Sequence, residues 1–414
     1  MRTTALASVG IAAVAALALS GCAAGGGDES GDVTISYTNF ISNDGNEENL
    51  QKIVDAFEKE NPNITVDVTT LPYADYGTAL QTDLAAGTAS DVFDIEYANY
   101  AQYQANGVLA ELPVADPDAY RQSVLEAYQT DDVQYALPSS FSTVVLFYNQ
   151  ELFDAAGVEY PTSDWTWADE QAAAETLTDQ AAGVWGDHQP VSFYEYYKVL
   201  AQNGGEFLDD SGTKVAFNTP EGIEAAEWLV GKSGTVMPTI EEGQGTPDFD
   251  TKLFTDGKLG MLHTGIWMFG AFAELPFGWD IAVEPGNTEQ ASALFSNAIG
   301  VSAESDHVDA AAKFAEFLTS SDVMVQARLD SGWELPATSD EAQLAGYLDQ
   351  GDPANRQAVF DSLEQVALPP VVAEGQQEMQ DIMTEELVEA QSGRKSVEDA
   401  LASAEERINA AIGG

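Results

Sequence analysis

The chain has 414 residues, with 69 acidic side chains against 15 basic ones and a formal charge of −54. Hydrophobic residues make up 44% of it, enough for a large core in two or three domains, which excludes a chain that is disordered throughout. Nucleic acid and anionic lipid headgroups are excluded as partners, because binding either of them needs clustered Lys or Arg.

Residues 1–22 are predicted to be a lipoprotein signal peptide. Arg2 precedes an apolar stretch, Ala5–Leu19, of about 15 residues, shorter than the roughly 20 that a membrane span needs. The stretch ends in Leu-Ser-Gly-Cys, which resembles the bacterial lipobox, and Cys22 is the single cysteine of the chain. We therefore expect lipidation at Cys22, a flexible tether over residues 23–32, and a position on the extracellular face of the cell membrane.

Strands and helices alternate along the first part of the chain. Leu50, Ile53, Val54 and Phe57 form one apolar helical stripe. The predicted elements are a strand over Val33–Phe40, a helix ended by Asn61–Asn63, a strand over Ile64–Val68, a helix over Asp75–Ala86, a strand over Val92–Ile95, and a helix ending near Gly107. This order is typical of an α/β sheet.

The same signals continue to the C-terminus. Predicted strands are Tyr135–Pro138, Val144–Tyr148, Leu259–Leu262 and Trp279–Val283. Predicted helices are Gln150–Ala156, one starting at the capping box Thr166–Asp169, one with Pro220 at its first position, His307–Leu318, Asp322–Leu329, and Met379–Ile412 with a break at Ser392–Gly393.

Motifs for covalent chemistry are missing from the sequence. His188, His263 and His307 do not have the spacing of metal ligands, and there is neither a G-x-S-x-G elbow nor a Gly-rich phosphate loop. We expect no metal, no cofactor and no catalytic residue. A glycosidase pair of carboxylates is neither excluded nor singled out by counting, because acids are so numerous.

Aromatic residues at loop and strand-to-helix positions predict a carbohydrate site, because an aromatic face stacks on the C–H face of a pyranose. These residues are Tyr73, Tyr97, Trp185, Tyr194, Trp267 and Trp333. Trp267 follows Gly265 at the end of a predicted strand, where open α/β sheets place their ligands. Trp167 and Trp228, within helices, are assigned to the core instead.

Motifs in order along the chain resemble family 1 extracellular solute-binding proteins, the sugar-binding subunits of ABC importers similar to maltose-binding protein. They are Leu137–Pro138, Val144–Phe153, Thr166–Glu170, Gln202–Gly205, Phe254–Met261, Gly265–Trp267, Lys313–Leu318 and Ser392–Leu401. The resemblance implies an α/β, two-lobed periplasmic-binding-protein fold of type II, with three crossing hinge segments near Phe141, Asn297 and Ala337. Residues 33–141 and 298–336 would form one lobe, and residues 142–297 and 337–414 the other.

The resemblance also implies ligand-binding residues. Trp267 matches a tryptophan that stacks on sugar, Tyr194 matches an aromatic of the second-lobe wall, and Asp44 an acid of the first. Asp44 has an equally good alternative as a helix N-cap. Glu96 and Tyr97 fall in a ligand-contacting loop, and Phe141 and Ser142 lie where the chain crosses the cleft. The family's late-helix tryptophan falls near Gln380 here, which favours an oligosaccharide other than maltodextrin.

The predicted function is oligosaccharide binding and delivery to an ABC permease by hinge closure, with the protein acting as a monomer. Two alternatives stay open at this point. One is a surface-anchored carbohydrate-active enzyme, and the other is a receptor for a charged solute such as a polyamine.

Overall fold

The computed structural model describes residues 31–41, 46–209, 211–243, 246, 248–372 and 374–413. Cys22 and Asp44 lie outside the described residues, as does nearly all of the predicted tether. The strands are β1 (Val33–Asn39), β2 (Ile64–Thr70), β3 (Val92–Glu96), β4 (Gln129–Thr130), β5 (Val133–Gln134), β6 (Ala136–Asn149), β7 (Met261–Gly265), β8 (Trp279–Ala282), β9 (Ser292–Val301), β10 (Leu335–Pro336) and β11 (Val366–Ala367).

The helices are α1 (Glu47–Glu60), α2 (Tyr73–Ala86), α3 (Tyr97–Ala105), α4 (Gln122–Leu125), α5 (Gln150–Ala156), α6 (Trp167–Leu177), α7 (Phe193–Gln202), α8 (Pro220–Gly231), α9 (Phe249–Thr255), α10 (Phe269–Phe272), α11 (Val308–Ser320), α12 (Asp322–Ser331), α13 (Glu341–Leu348), α14 (Gln357–Asp361), α15 (Gln376–Gln391) and α16 (Val397–Ile412). Within the described ranges, none of these helices combines the length and the apolar character that crossing a membrane requires.

Local signals explain where several helices begin. The four residues of the predicted apolar stripe are buried along α1. Thr166 and Asp169 form the predicted capping box at the start of α6, each side chain accepting a main-chain NH of the other residue. The Thr219 side chain caps α8, which has Pro220 at its first position.

The main sheet has the strand order β2–β1–β3–β9–β6–β10. β1 runs parallel to β2 and β3, whereas β9 runs antiparallel to β3 and β6. β7 and β8 flank the second half of β6, and β11 pairs with the first residues of β9. Helices pack on both parts of this curled sheet, so the predicted α/β class is confirmed.

Two strands, β6 and β9, belong to two groups of strands at once. β6 pairs with β10 up to Phe141 and with β7 from Val144 onwards. β9 pairs with β11 at Ser292 and Ala293, and with β3 from Asn297 onwards. We call the part with β1–β3, α1–α3, α11 and α12 the first lobe, and the part with β7, β8, α5–α9, α15 and α16 the second lobe. Both strands therefore cross between the lobes, close to two of the predicted crossing points.

The third connection between the lobes runs through the segment after β10. Ser339 still donates its main-chain NH to Ala119, in the segment that packs on α11. The Asn355 side chain then donates to the main chain of Ile281 in β8, at 3.0 Å. These bonds place the passage between Ser339 and Asn355, further along the chain than Ala337. The full set of lobe boundaries stays a prediction.

The long crossing strands are where the predicted elements differ from the structure. β6 is one strand whose residues are all buried, not two short strands separated by a loop. The segment between the two predicted strands lies in the sheet interior, where Ser140–Thr143 pair with β9 after a register shift at Ser139. β9 itself was not predicted, because its sequence, Ser-Ala-Leu-Phe-Ser-Asn-Ala-Ile-Gly-Val, does not alternate apolar with polar residues.

Candidate functional site

A cavity of about 600 Å³ lies between the two lobes, within the range of small-molecule sites. The described residues that line it are Phe40, Tyr73, Glu96, Val144, Pro190, Ser192, Tyr194, Glu195, Asp248, Asp250, Thr251, His263, Thr264, Trp267, Met268, Ala271, Phe295, Asn297 and Glu334. A wider groove of about 850 Å³ along α1 and α12 is open to solvent and has no aromatic residue among its lining, so we place the candidate site in the cavity.

Three aromatic rings form the second-lobe wall of the cavity. Trp267 lies in the 3₁₀ turn that follows β7, and its ring centroid is 5.7 Å from that of Phe295. Phe295 in turn is 5.7 Å from Tyr194, at an angle of 60°. A Cβ atom at Gly265 would lie 1.9 Å from the Trp267 indole, so only glycine leaves room for the ring there. The three rings thus pack on one another and present an aromatic surface to the cavity.

The first-lobe wall carries a second aromatic pair. The rings of Phe40 and Tyr73 are 5.6 Å apart at 67°. The Tyr73 hydroxyl donates to Glu96 Oε1 at 2.8 Å, and it also neighbours the Tyr194 hydroxyl of the opposite lobe. Aromatic faces therefore approach the cavity from both lobes, which suits a ligand with two C–H faces.

Five carboxylates contribute to the polar part of the lining: Glu96, Glu195, Asp248, Asp250 and Glu334. Desolvation raises the pKa of Glu96 against the hydrogen bond from Tyr73, and the nearby Glu334 adds to the rise. Ionised carboxylates only accept hydrogen bonds, and the hydroxyl groups of a sugar donate them. The lining can therefore hold a sugar through its C–H faces, which stack on the aromatic rings, and through its hydroxyl groups, which donate to the carboxylates.

A buried ionic network supports the second-lobe wall. His263 Nδ1 is 2.9 Å from Glu284 Oε1, and its Nε2 is 3.2 Å from both Glu170 Oε1 and Asp187 Oδ1. Because both ring nitrogens face carboxylates, the ring is held as an imidazolium with two donors. Burial alone would lower the pKa of His263, but Glu284, Asp187 and Glu170 outweigh it and raise that pKa well above its ordinary value.

The network extends to a residue of the cavity lining through Lys198. Its ammonium lies 2.7 Å from Glu195 Oε2 and 2.5 Å from Glu284 Oε2. Gln189 donates to the same Glu195 oxygen at 3.0 Å. Glu195 is thereby fixed in position while it lines the cavity.

Glu170, Asp187 and His263 offer ligand atoms within 4.8 Å of one another, a spacing that could hold a metal ion. However, the Lys232 ammonium already donates to Glu170 and, at 2.6 Å, to Asp187. These charge-assisted bonds raise the pKa of Lys232 despite its burial. The lysine therefore supplies the positive charge that an ion would bring.

Comparison with known proteins identifies the family. Residues 43–325 match the family described as bacterial extracellular solute-binding protein. The chain belongs to this family. The family prediction made from the sequence motifs is thus confirmed, and the extracellular location is that of the family as a whole.

Solved structures confirm the fold of this solute-binding protein as type II and two-lobed. It is 42% identical to the ABC substrate-binding protein Lmo0181 from Listeria monocytogenes in complex with cycloalternan, over 92% of this chain and 99% of that one, with a TM-score of 0.88. A cyclic α-maltosyl-1,6-maltose binding protein from Arthrobacter globiformis shares the fold at 24% identity, a TM-score of 0.72 and coverage of 92% and 99%. The galactooligosaccharide-binding protein of Bacillus subtilis is 25% identical over 70% of this chain and 69% of its own length.

Four of the residues predicted to bind ligand lie together in the solute-binding protein's cavity: Tyr73, Glu96, Tyr194 and Trp267. Trp267 follows β7 as predicted, so the C-terminal end of that strand does face the cleft. Asp44 lies outside the described residues, and the residue at the N-cap of α1 is Asn46.

Five other predicted residues do not line the cavity. Trp185 is 7% exposed and bridges Leu259, two residues before β7 begins and at the opposite end of that strand from Trp267. The Trp333 ring lies under the Arg328 guanidinium, 4.1 Å away, and is buried in the hydrophobic core at 5% exposure. The other three are Tyr97, packed edge-on against Tyr128, and Phe141 and Ser142, both buried in β6.

Sequence reasoning missed several residues of the cavity, among them Phe40, Phe295, Asn297 and Glu334. Phe295 and Asn297 belong to β9, whose sequence has no apolar–polar alternation, so periodicity gave no signal for them. Phe40 directly follows β1, at the same sheet edge where β3 ends at Glu96. No sequence motif or periodicity around Glu334 indicated that this residue binds ligand.

Proposed function

We propose that the protein binds an oligosaccharide in the cavity between its lobes and delivers it to an ABC permease. The observation that carries the proposal is the pairing of aromatic walls from both lobes, Phe40 with Tyr73 and Trp267 with Phe295 and Tyr194, around a carboxylate lining. A ligand that touches both walls stabilises the closed arrangement of the lobes, and closure is the form presented to the permease.

A cyclic α-glucan is the ligand that we propose to test first, because the relative with 42% identity was solved with cycloalternan. The experiment is calorimetric titration of the purified protein with cycloalternan, maltotetraose and a galactooligosaccharide. We expect cycloalternan to bind at least tenfold more tightly than maltotetraose. Absence of binding to every oligosaccharide in the panel would refute the proposed function.

A polyamine receptor stays as a second candidate, because Glu96, Asp248 and Asp250 place carboxylates on the cavity wall. Spermidine in the same calorimeter tests it, and tight spermidine binding without glycan binding would favour it. A carbohydrate-active enzyme is the weaker alternative, since the family consists of binding proteins. We propose that the protein leaves bound glycans intact, which product analysis after long incubation checks.

We further propose that Cys22 carries the lipid anchor, that residues 23–32 form a tether, and that the protein works as a monomer. The support is the lipobox-like Leu-Ser-Gly-Cys run and the single cysteine. Two acyl chains are needed for stable anchoring. Cys22→Ser should release the protein from the membrane fraction, and unchanged partitioning of this variant would contradict the assignment.

For the lobes, we keep the proposed division into residues 33–141 with 298–336 and residues 142–297 with 337–414. The one change is that the third crossing between the lobes lies after Ser339 and not at Ala337.

A further inference from the structure

Glu334 is a cavity residue whose side chain contacts both crossing strands. Its side chain is 13% exposed and lies just before β10. The Ser140 hydroxyl of β6 donates to its Oε2 at 2.5 Å, and the Asn297 amide of β9 donates to its Oε1 at 3.1 Å. A third donor, Arg328 of α12, lies 3.4 Å from Oε2. One carboxylate thus links the two crossing strands to a helix of the first lobe.

The two residues that Glu334 holds mark the points where the strands leave the first lobe. Ser140 and Asn297 are opposite each other in the β6–β9 register. Asn297 is the residue nearest the second lobe that still pairs with β3, and the β6 pairing with β10 ends one residue after Ser140. Beyond them the strands pair with second-lobe partners. Any rotation of one lobe against the other must bend the backbone next to this pair.

The Glu334 carboxylate also has capacity left for a ligand. A carboxylate has about four acceptor positions on its two oxygens. Oε2 accepts hydrogen bonds from Ser140 and Arg328, and the Asn297 amide nitrogen also lies 3.3 Å from it. Among the donors in the described residues, Oε1 accepts from Asn297 alone. Glu334 lines the cavity, and Oε1, with its single bonded donor, has the larger capacity left for a ligand hydroxyl.

We propose that Glu334 couples ligand binding to lobe closure: a ligand hydroxyl donates to Oε1, and the same carboxylate holds Ser140 and Asn297 in the geometry of the closed hinge. This inference rests on the proposed function, since it needs a hydroxylated ligand in the cavity. Glu334 is a positioning residue for closure as well as a ligand contact. Its removal should therefore reduce the extent of closure, and not only the affinity.

The test uses Glu334→Gln and, as a matched control, Glu96→Gln. Both remove a carboxylate from the same cavity, but the Glu96 side chain bonds to Tyr73 and Asn99 and to neither Ser140 nor Asn297. Affinity for cycloalternan is measured by calorimetry, and closure is measured as the decrease in radius of gyration by small-angle scattering at saturating cycloalternan. Thermal melting of the unliganded variants checks that they are folded.

We expect both variants to lose about tenfold or more in affinity, since each loses a charge-assisted acceptor. At saturation, Glu96→Gln should compact as fully as the wild type, whereas Glu334→Gln should lose most of the compaction. Ser140→Ala, which does not line the cavity, should lose part of the compaction, together with the loss of affinity that the weaker closure causes, and it serves as the second variant if Glu334→Gln melts early.

Full compaction of Glu334→Gln and Ser140→Ala at saturation would overturn the coupling while leaving the proposed function intact. Failure of the wild type to bind any glycan of the panel would instead refute the proposed function and the coupling with it. Loss of compaction in Glu96→Gln equal to that in Glu334→Gln would also count against a specific role for Glu334.

Discussion

Replacing Trp267 with alanine should weaken ligand binding by removing one face of an aromatic wall. The indole packs against Gly265 on one side and meets Phe295 at its edge, so Trp267 is only partly exposed, with at most about a third of its surface available to a ligand. Aromatic side chains bury roughly 150–250 Å² in full, and a third of the upper figure leaves about 80 Å² for ligand contact. At about 25 cal/mol per Å² this contributes roughly 2 kcal/mol, or about a thirtyfold change in affinity.

Trp167→Ala is the control for this prediction. Trp167 is 5% exposed, stacks on Trp228 at 4.8 Å and donates from its indole to Gln202 at 2.9 Å. Its loss should cost about 3–5 kcal/mol of folding stability. In contrast, Trp267→Ala should lower the melting temperature of the unliganded protein by less than half as much.

The assays are calorimetric titration with cycloalternan for affinity and differential scanning calorimetry without ligand for stability. If Trp267→Ala binds within threefold of the wild type and melts as early as Trp167→Ala, the indole is a core residue and its assignment to the ligand surface is wrong. If both variants lose affinity equally, the loss reflects general destabilisation.

Three further predictions concern the support of the cavity. In Gly265→Ala the new Cβ would lie 1.9 Å from the Trp267 ring, so the indole must move; titration should show at least about a tenfold loss of affinity, and unchanged affinity would contradict the observed packing. In Lys232→Met the carboxylates of Glu170 and Asp187 are left buried without their ammonium partner, which should cost about 3–5 kcal/mol in chemical denaturation; a cost below about 1 kcal/mol would contradict the role of the lysine. Burial raises the pKa of Asp94 from its ordinary 3.8 to about 7, so the folded protein binds more protons than the unfolded chain in this range and stability falls as the pH rises through it. Asp94→Asn should reduce the fall in melting temperature between pH 5 and 8, and an equally steep fall in the variant would assign it to other groups.

Much of the fold was predictable because its signals are local. The stripe along α1, the capping box at Thr166 and Asp169, and the Pro220 helix start depend only on nearby residues, and each is found where expected. β9 and the continuity of β6 depend on partners far away in the chain. Ser139–Thr143 is polar by composition, yet its place between neighbouring strands buries it.

The site residues also differ in whether local sequence or tertiary contacts determine their role. Trp267 was predictable because a strand, a glycine and an aromatic residue follow one another. Trp185 and Trp333 have similar local surroundings, and their packing against Leu259 and Arg328 is a matter of tertiary structure. Glu334 was not predictable at all, because one acid among 69 is distinguished only by what folding brings to it.

The position of β9 has a consequence for how the chain folds. Residues 292–301 insert between β3 and β6, which come from residues 92–96 and 136–149. While a ribosome has not yet made Ser292, both of these strands have an unpaired edge, and such edges invite aggregation. Pairing across about 150 residues to β6 and about 200 residues to β3 also makes loop closure costly and folding slow. A fragment that ends before Ser292 should therefore need a chaperone to stay in solution, and neither lobe should fold during synthesis ahead of the other.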